Sequence, residues 1–154
     1  KAATTGILHD IAKLMKLDKQ YRFAKKLAKS NLPSLSPLNK NVVHGPAGAW
    51  YAHYFLGITD PEILDALTFH TTSRKGMTKL DQIIYLADKL EYGRPGRQFE
   101  KAREIAETDL TSAVRLCLEE VRRASIRRLK KIHPATEAAN KHLDHSYDNK
   151  DKQI

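Results

Sequence analysis

Apolar residues recur at helical spacing along nearly the whole chain, and nothing of useful length alternates with period two. The pattern predicts an all-α protein. A first helix is expected over residues 2–17, with Thr4, Ile7, Leu8, Ile11, Leu14 and Met15 on one stripe. On a wheel of about 100° per residue, Asp10 lies on a flank of that stripe. His9 lies nearly opposite, on a face shared with Ala2 and Gly6. This predicts burial on two sides, with small residues letting neighbouring helices approach. Lys13 stands at i+4 from His9 and i+3 from Asp10, separations at which helical side chains meet.

A basic second helix is expected over 19–29, followed by a loop over 30–41 rich in Pro, Ser and Asn. Pro46 suits the first turn of a third helix that reaches Phe55 and is stopped by Gly57. "TDPEILDALTFH" has Asp60 as N-cap and Pro61 at the first helical position, for a helix ending near His70. A polar loop over 71–78 leads into a fifth helix over 79–92, carrying Leu80, Ile83, Ile84, Ala87 and Leu90. Further helices are expected over 99–107 and 109–132, the latter capped by Thr108 or Asp109. Residues 1–133 are thus expected to form one domain, and 134–154 a polar, flexible tail.

A chain of 154 residues suits one domain with a real core. No stretch approaches the roughly 18 apolar residues a bilayer span needs, so no membrane role is expected. The single Cys117 excludes an internal disulfide and fits a reducing cytoplasm. Net charge is +9, which favours a polyanionic partner. Nucleic acid is the lesser expectation. The most basic run, "VRRASIRRLKK", flanks an apolar stripe as a solvated helix face would, without interleaved aromatics for stacking bases.

The candidate chemistry lies in His9, Asp10, His44, His70 and Asp88. A carboxylate in a core helix must be neutralised, paired or bound to metal. His44 opens the Pro46 helix, His70 ends the next, and Asp88 interrupts an apolar run. Three imidazoles and two carboxylates in such contexts match the donors of a divalent metal site. A bridging carboxylate can hold two metals that bind phosphate oxygens and generate a hydroxide nucleophile. Each residue also has a structural alternative. His44 can be satisfied by backbone, His70 can complement a helix dipole, and Asp88 can pair with Lys13 or an arginine.

"HDIAK", then "HGPAGA", "HTTSRKGMT" and "YLADKLEYGR" in that order, resemble the HD-domain metal phosphohydrolases, most closely the bacterial YqeK family. The resemblance runs from Ala2 to about Val121. It implies an all-helical HD bundle around a dinuclear centre of divalent or trivalent ions, with iron foremost and manganese, cobalt or zinc as alternatives. It also implies symmetrical cleavage of diadenosine tetraphosphate into two ADP. On this resemblance His9, Asp10 and Asp88 hold the first metal, Asp10 bridges, and His44 and His70 hold the second. Asp10 and Lys13 become the catalytic residues. Lys13 faces the substrate phosphates, with Arg74, Arg94 and Arg97 as further phosphate-binding candidates. The family takes one more His ligand from a helix upstream of the HD pair. The sequence starts at Lys1, so the expectation is a chain lacking that segment, with an uncovered apolar surface that favours a homodimer. The alternatives are an HD phosphohydrolase acting on other nucleotides and a catalytically impaired nucleotide- or RNA-binding module.

Overall fold

A computed structural model describes residues 1–91, 93 and 97–148. Its described residues form eight helices and no strand: α1 (Ala2–Leu8), α2 (Leu17–Ala28), α3 (His44–Leu56), α4 (Pro61–Phe69), α5 (Lys79–Lys89), α6 (Arg97–Ala106), α7 (Leu110–Arg127) and α8 (Pro134–Asp148).

The helix starts follow local chemistry. Asp60 Oδ1 accepts the Glu62 N–H at 3.0 Å ahead of Pro61. Thr78 and Asp81 form a reciprocal capping box at α5. Asp109 Oδ1 accepts the Ser112 N–H at 3.0 Å at α7. Each such cap contributes about 1 kcal/mol. Gly57 stops α3 in a left-handed conformation, φ 67°, which glycine adopts without a Cβ clash.

Two apolar clusters meet at α5. Leu80 and Ile84 join Ala12, Phe23, Leu27, Trp50, Leu64 and Leu67 in the first. Tyr85 and Leu86 join Ala102, Val114, Cys117, Leu118 and Ala139 in the second. The successive residues Ile84 and Tyr85 therefore face different cores, which makes α5 the shared wall. Among the described residues no helix is long and apolar enough to cross a membrane.

Two segments depart from expectation. The first helix stops at Leu8, not at residue 17. Beyond it the chain runs in tight i→i+3 turns: Ile11 N–H to Leu8 O, Lys13 N–H to Asp10 O and Met15 N–H to Ala12 O. Three residues per turn replace 3.6, so the wheel no longer applies. Ile7 is 82% and Leu14 99% exposed, while Thr5 and Ala12 are fully buried. Nor does Gly6 serve a close approach, since nothing lies within 4 Å of a Cβ built there. The second departure is α8, which occupies most of the stretch expected as a flexible tail. It is held by small contacts: Ala139 is 1% exposed in the second cluster, and Thr136 Oγ1 donates to Thr72 O at 2.5 Å.

Candidate metal centre

The tight turn after α1 decides where Asp10 and Lys13 go. Side chains three apart eclipse in such a turn, and Lys13 Nζ donates to Asp10 Oδ2 at 2.7 Å. The turn is held from α2: the buried Gln20 side chain donates to Lys13 O and Met15 O at 3.3 and 2.8 Å. Opposite Asp10, the start of α3 meets the end of α4. Gly45 makes that meeting close enough, because a Cβ there would lie 2.8 Å from Thr68 O and 3.1 Å from Leu67 O. His44 and His70, beside this contact, bring their Nε2 atoms to 3.2 Å.

Three imidazoles surround one carboxylate. His44 Nε2 is 3.4 Å and His70 Nε2 3.7 Å from Asp10 Oδ1, and His9 Nε2 is 3.4 Å from Oδ2. Two ring orientations are set by backbone. His9 Nδ1–H donates to Gly6 O at 2.7 Å, and His70 Nδ1–H donates to Leu67 O at 2.8 Å. A carbonyl only accepts, so in the neutral rings Nε2 carries the lone pair. These lone pairs face carboxylate oxygens, which are also acceptors. Asp10 Oδ1 is buried and has no hydrogen-bond partner.

Such an arrangement repels itself unless a cation lies between. Donors about 2.0–2.2 Å from one ion sit roughly 3–3.5 Å apart, close to the separations here. One ligand atom each from Asp10, His44 and His70 lies within 4.8 Å of the other two. The donor set fits a divalent metal. Backbone acceptors on the remote ring nitrogens are the usual outer support for such ligands.

The electrostatics agree. In the metal-free chain a proton on His70 Nε2 can stand where a metal would, and that donor is the chief reason the Asp10 carboxyl is held well below the usual carboxylate range, with burial opposing and Lys13 and His9 adding. A proton and a metal compete for the same His70 lone pair. Burial pushes His44 down to about 4, with His70 adding to the effect, so its ring is neutral at physiological pH. The bond to Asp10 raises Lys13, which stays cationic.

The remaining candidates are placed differently. Asp88 acts electrostatically on His44 and Lys13. Its Oδ2 accepts from Lys89 Nζ at 2.9 Å, a partner from its own helix. His70 turns one ring nitrogen to the Leu67 carbonyl near the end of α4 and the other toward Asp10. Arg74 is tied to two carboxylates: Nη2 lies 2.9 Å from Asp65 Oδ2 and 2.8 Å from Asp81 Oδ2, with its side chain 24% exposed. Arg97 is exposed at the start of α6, and Arg94 lies outside the described residues. Sequence reasoning missed Gly45 and Gln20 as positioning residues. The glycine directly after His44 was the available signal for the first, and local sequence held none for the second.

No protein-family model matches the chain. A curated relative from Bacillus subtilis, named symmetrical bis(5'-nucleosyl)-tetraphosphatase, is 33% identical over 135 residues, covering 87% of this chain and 69% of its own. A relative of the same name from Halalkalibacterium halodurans is 38% identical over 118 residues, covering 74% of this chain and 60% of its own. The chain thus spans about two thirds of the length of these relatives. A crystal structure from Clostridium acetobutylicum, described as an HD superfamily hydrolase involved in NAD metabolism, superposes with a TM-score of 0.77 at 27% identity. It covers 93% of this chain and 75% of its own. The all-helical fold is therefore an HD fold.

Proposed function

The chain belongs to the symmetrical bis(5'-nucleosyl)-tetraphosphatase family, the YqeK-type HD hydrolases, and on that premise we propose that it is a metal-dependent phosphohydrolase of dinucleoside polyphosphates. Its substrate is diadenosine tetraphosphate, cut symmetrically into two ADP. The observation that carries this reading is Asp10 ringed by three imidazole Nε2 atoms with no hydrogen-bond partner on Oδ1.

His9, Asp10 and Asp88 are assigned to one ion and His44 and His70 to a second, with Asp10 shared. Iron is the proposed metal, with manganese, cobalt or zinc able to replace it. When bound, such ions polarise phosphoryl oxygens and activate a water for in-line attack. The chain's own residues place and neutralise. Lys13 is 54% exposed at the mouth of the centre. It remains cationic, so its ammonium can leave Asp10 to meet phosphate oxygens and offset charge that grows on the leaving nucleotide. Asp88 would hold the first ion with the carboxylate that now accepts from Lys89, and the Lys89 ammonium would then be available to substrate phosphates. The fully buried His70 and nearly buried His44 close the inner side of the centre to bulk water. A cytoplasmic setting and a homodimer belong to the same proposal.

Incubation of the metal-loaded protein with diadenosine tetraphosphate tests it. ADP as sole nucleotide product supports the reading. ATP plus AMP, or turnover of simpler nucleotides alone, sinks it. A chelator should abolish the activity and manganese or iron should restore it.

A further inference from the structure

Along the end of α7 lies a trough in which Lys89 alone has an assigned role. Two cavities of about 470 and 460 Å³ share Val121, Ser125 and Lys130 as walls, so they adjoin along the end of α7. Each is within the roughly 300–1,000 Å³ of small-molecule sites. The opposite walls are chain neighbours of candidate ligands. Lys89 follows Asp88, Thr71 follows His70, and Val42 precedes His44 by two residues. The trough therefore passes three of the segments that carry the centre.

Its charge is one-sided. Lys89, Arg127, Arg128 and Lys130 line the larger cavity. Its acid, Glu120, is engaged by Arg123 Nη1 at 3.2 Å. Arg127, Arg128 and Lys130 are exposed and have no carboxylate partner among the described residues. Phe99 offers an aromatic ring in the same wall. In the second cavity the Thr71 hydroxyl is buried without a hydrogen-bond partner. Cations left unpaired around a cavity of this size, with one aromatic ring, match a phosphorylated nucleoside.

We propose that this trough holds the half of the substrate farther from the metals: a nucleoside diphosphate, its phosphates on Arg127, Arg128 and Lys130 and its base against Phe99. The identity of the ligand rests on the phosphohydrolase reading, because a dinucleoside polyphosphate engaged at the centre through one phosphoryl group leaves a second nucleotide to be housed. The basic run at the end of α7 then becomes a binding wall, not merely a solvated face.

The test combines a binding and a kinetic readout on the metal-loaded chain. A fluorescent ADP is titrated into the wild type and into the triple variant Arg127→Ala, Arg128→Ala, Lys130→Ala. KM and kcat for diadenosine tetraphosphate are measured on both. Three exposed side chains at a helix end leave the unfolding midpoint in place. The expected result is a Kd for ADP and a KM raised at least about tenfold, kcat nearly unchanged, and most of the loss rescued by Arg127→Lys with Arg128→Lys. Equal ADP affinity in wild type and variant overturns the proposal, as does a wild type that binds no ADP. Single-stranded RNA displacing ADP at lower concentration than diadenosine tetraphosphate does overturns it in favour of a nucleic-acid trough. Hydrolysis with KM unaffected by the variant sinks the trough and leaves the phosphohydrolase reading standing. ADP binding lost in the variant, without any hydrolysis, sinks that reading and leaves the trough.

Discussion

Asp10 and Asp81 each keep one buried oxygen without a hydrogen-bond partner, yet their surroundings are opposite. Asp81 Oδ2 accepts Arg74 Nε at 3.0 Å and the Thr78 N–H at 2.8 Å, with Arg74 Nη2 also at 2.8 Å. Asp65 shares the same guanidinium, and its pKa is raised by burial against the pull of Arg74. The cation there is covalently part of the chain. Around Asp10, among the described residues, the half-exposed Lys13 is the one fixed cation, and the neutral His9 and His70 rings present Nε2 lone pairs. An orphaned oxygen is common to both clusters and diagnoses nothing. What faces it separates a structural ion pair from a site made for an added cation.

The sharpest way to break the comparison is to neutralise each carboxylate cluster in turn. Outer-shell partners of metal ligands already cost 10–100-fold when lost, so Asp10→Asn should lower hydrolysis of diadenosine tetraphosphate by more than about a hundredfold. The unfolding midpoint of the metal-free chain should fall by less than it does when the Arg74 cluster is broken, since the fixed cation that Asp10 loses is the half-exposed Lys13. A large loss of metal-free stability would place Asp10 with Asp81 as structural.

Arg74→Met should do the reverse. It strands Asp65 and Asp81, and breaking a buried pair costs about 3 kcal/mol, readable by urea denaturation. KM of the folded fraction should stay within about twofold of wild type. A tenfold rise in KM without loss of stability would restore Arg74 to the phosphate-binding role that the family resemblance implies.

How far the sequence carries depends on where each structure is decided. α4 and α5 were legible because Asp60, Pro61 and Thr78 act on their own helix. The order of His9, Asp10, His44, His70 and Asp88 pointed to one centre, but not to who touches whom. The end of α1 was illegible, because the carbonyls of Lys13 and Met15 are satisfied by Gln20 from the next helix. A wheel assumes that helix continues, and it put Ile7 and Leu14 inside. Likewise α8 hides its contacts in Ala139 and Thr136, small residues that no apolar stripe reveals.

Gly45→Ala sharpens the comparison from the backbone side. A Cβ 2.8 Å from Thr68 O must push α3 off α4, separating His44 from His70 at about 1–3 kcal/mol. Manganese affinity by calorimetry should fall about tenfold, while the Arg74 cluster is untouched. Unchanged affinity would mean the His44–His70 contact does not set the site.

The smallest effect is a pH slope in the metal-free chain. His44 drops from 6.5 to about 4 on folding. Between those values the unfolded chain binds the extra proton, so stability falls as pH falls through that window. The slope from this group is no steeper than about 1.4 kcal/mol per pH unit. Asp10, also depressed, adds its own loss only below its usual 3.8. His44→Gln should flatten the slope above pH 4 in thermal scans, and an unaltered slope would assign it to other groups.

The most direct test is metal uptake compared across the two clusters. Metal-depleted wild type, Arg74→Met and Asp10→Asn are incubated with manganese or ferrous iron, desalted and analysed for metal per chain. At least one ion bound by wild type and by Arg74→Met, and almost none by Asp10→Asn, is the predicted result. Equal uptake by all three chains would contradict Asp10 and its imidazoles as the metal centre.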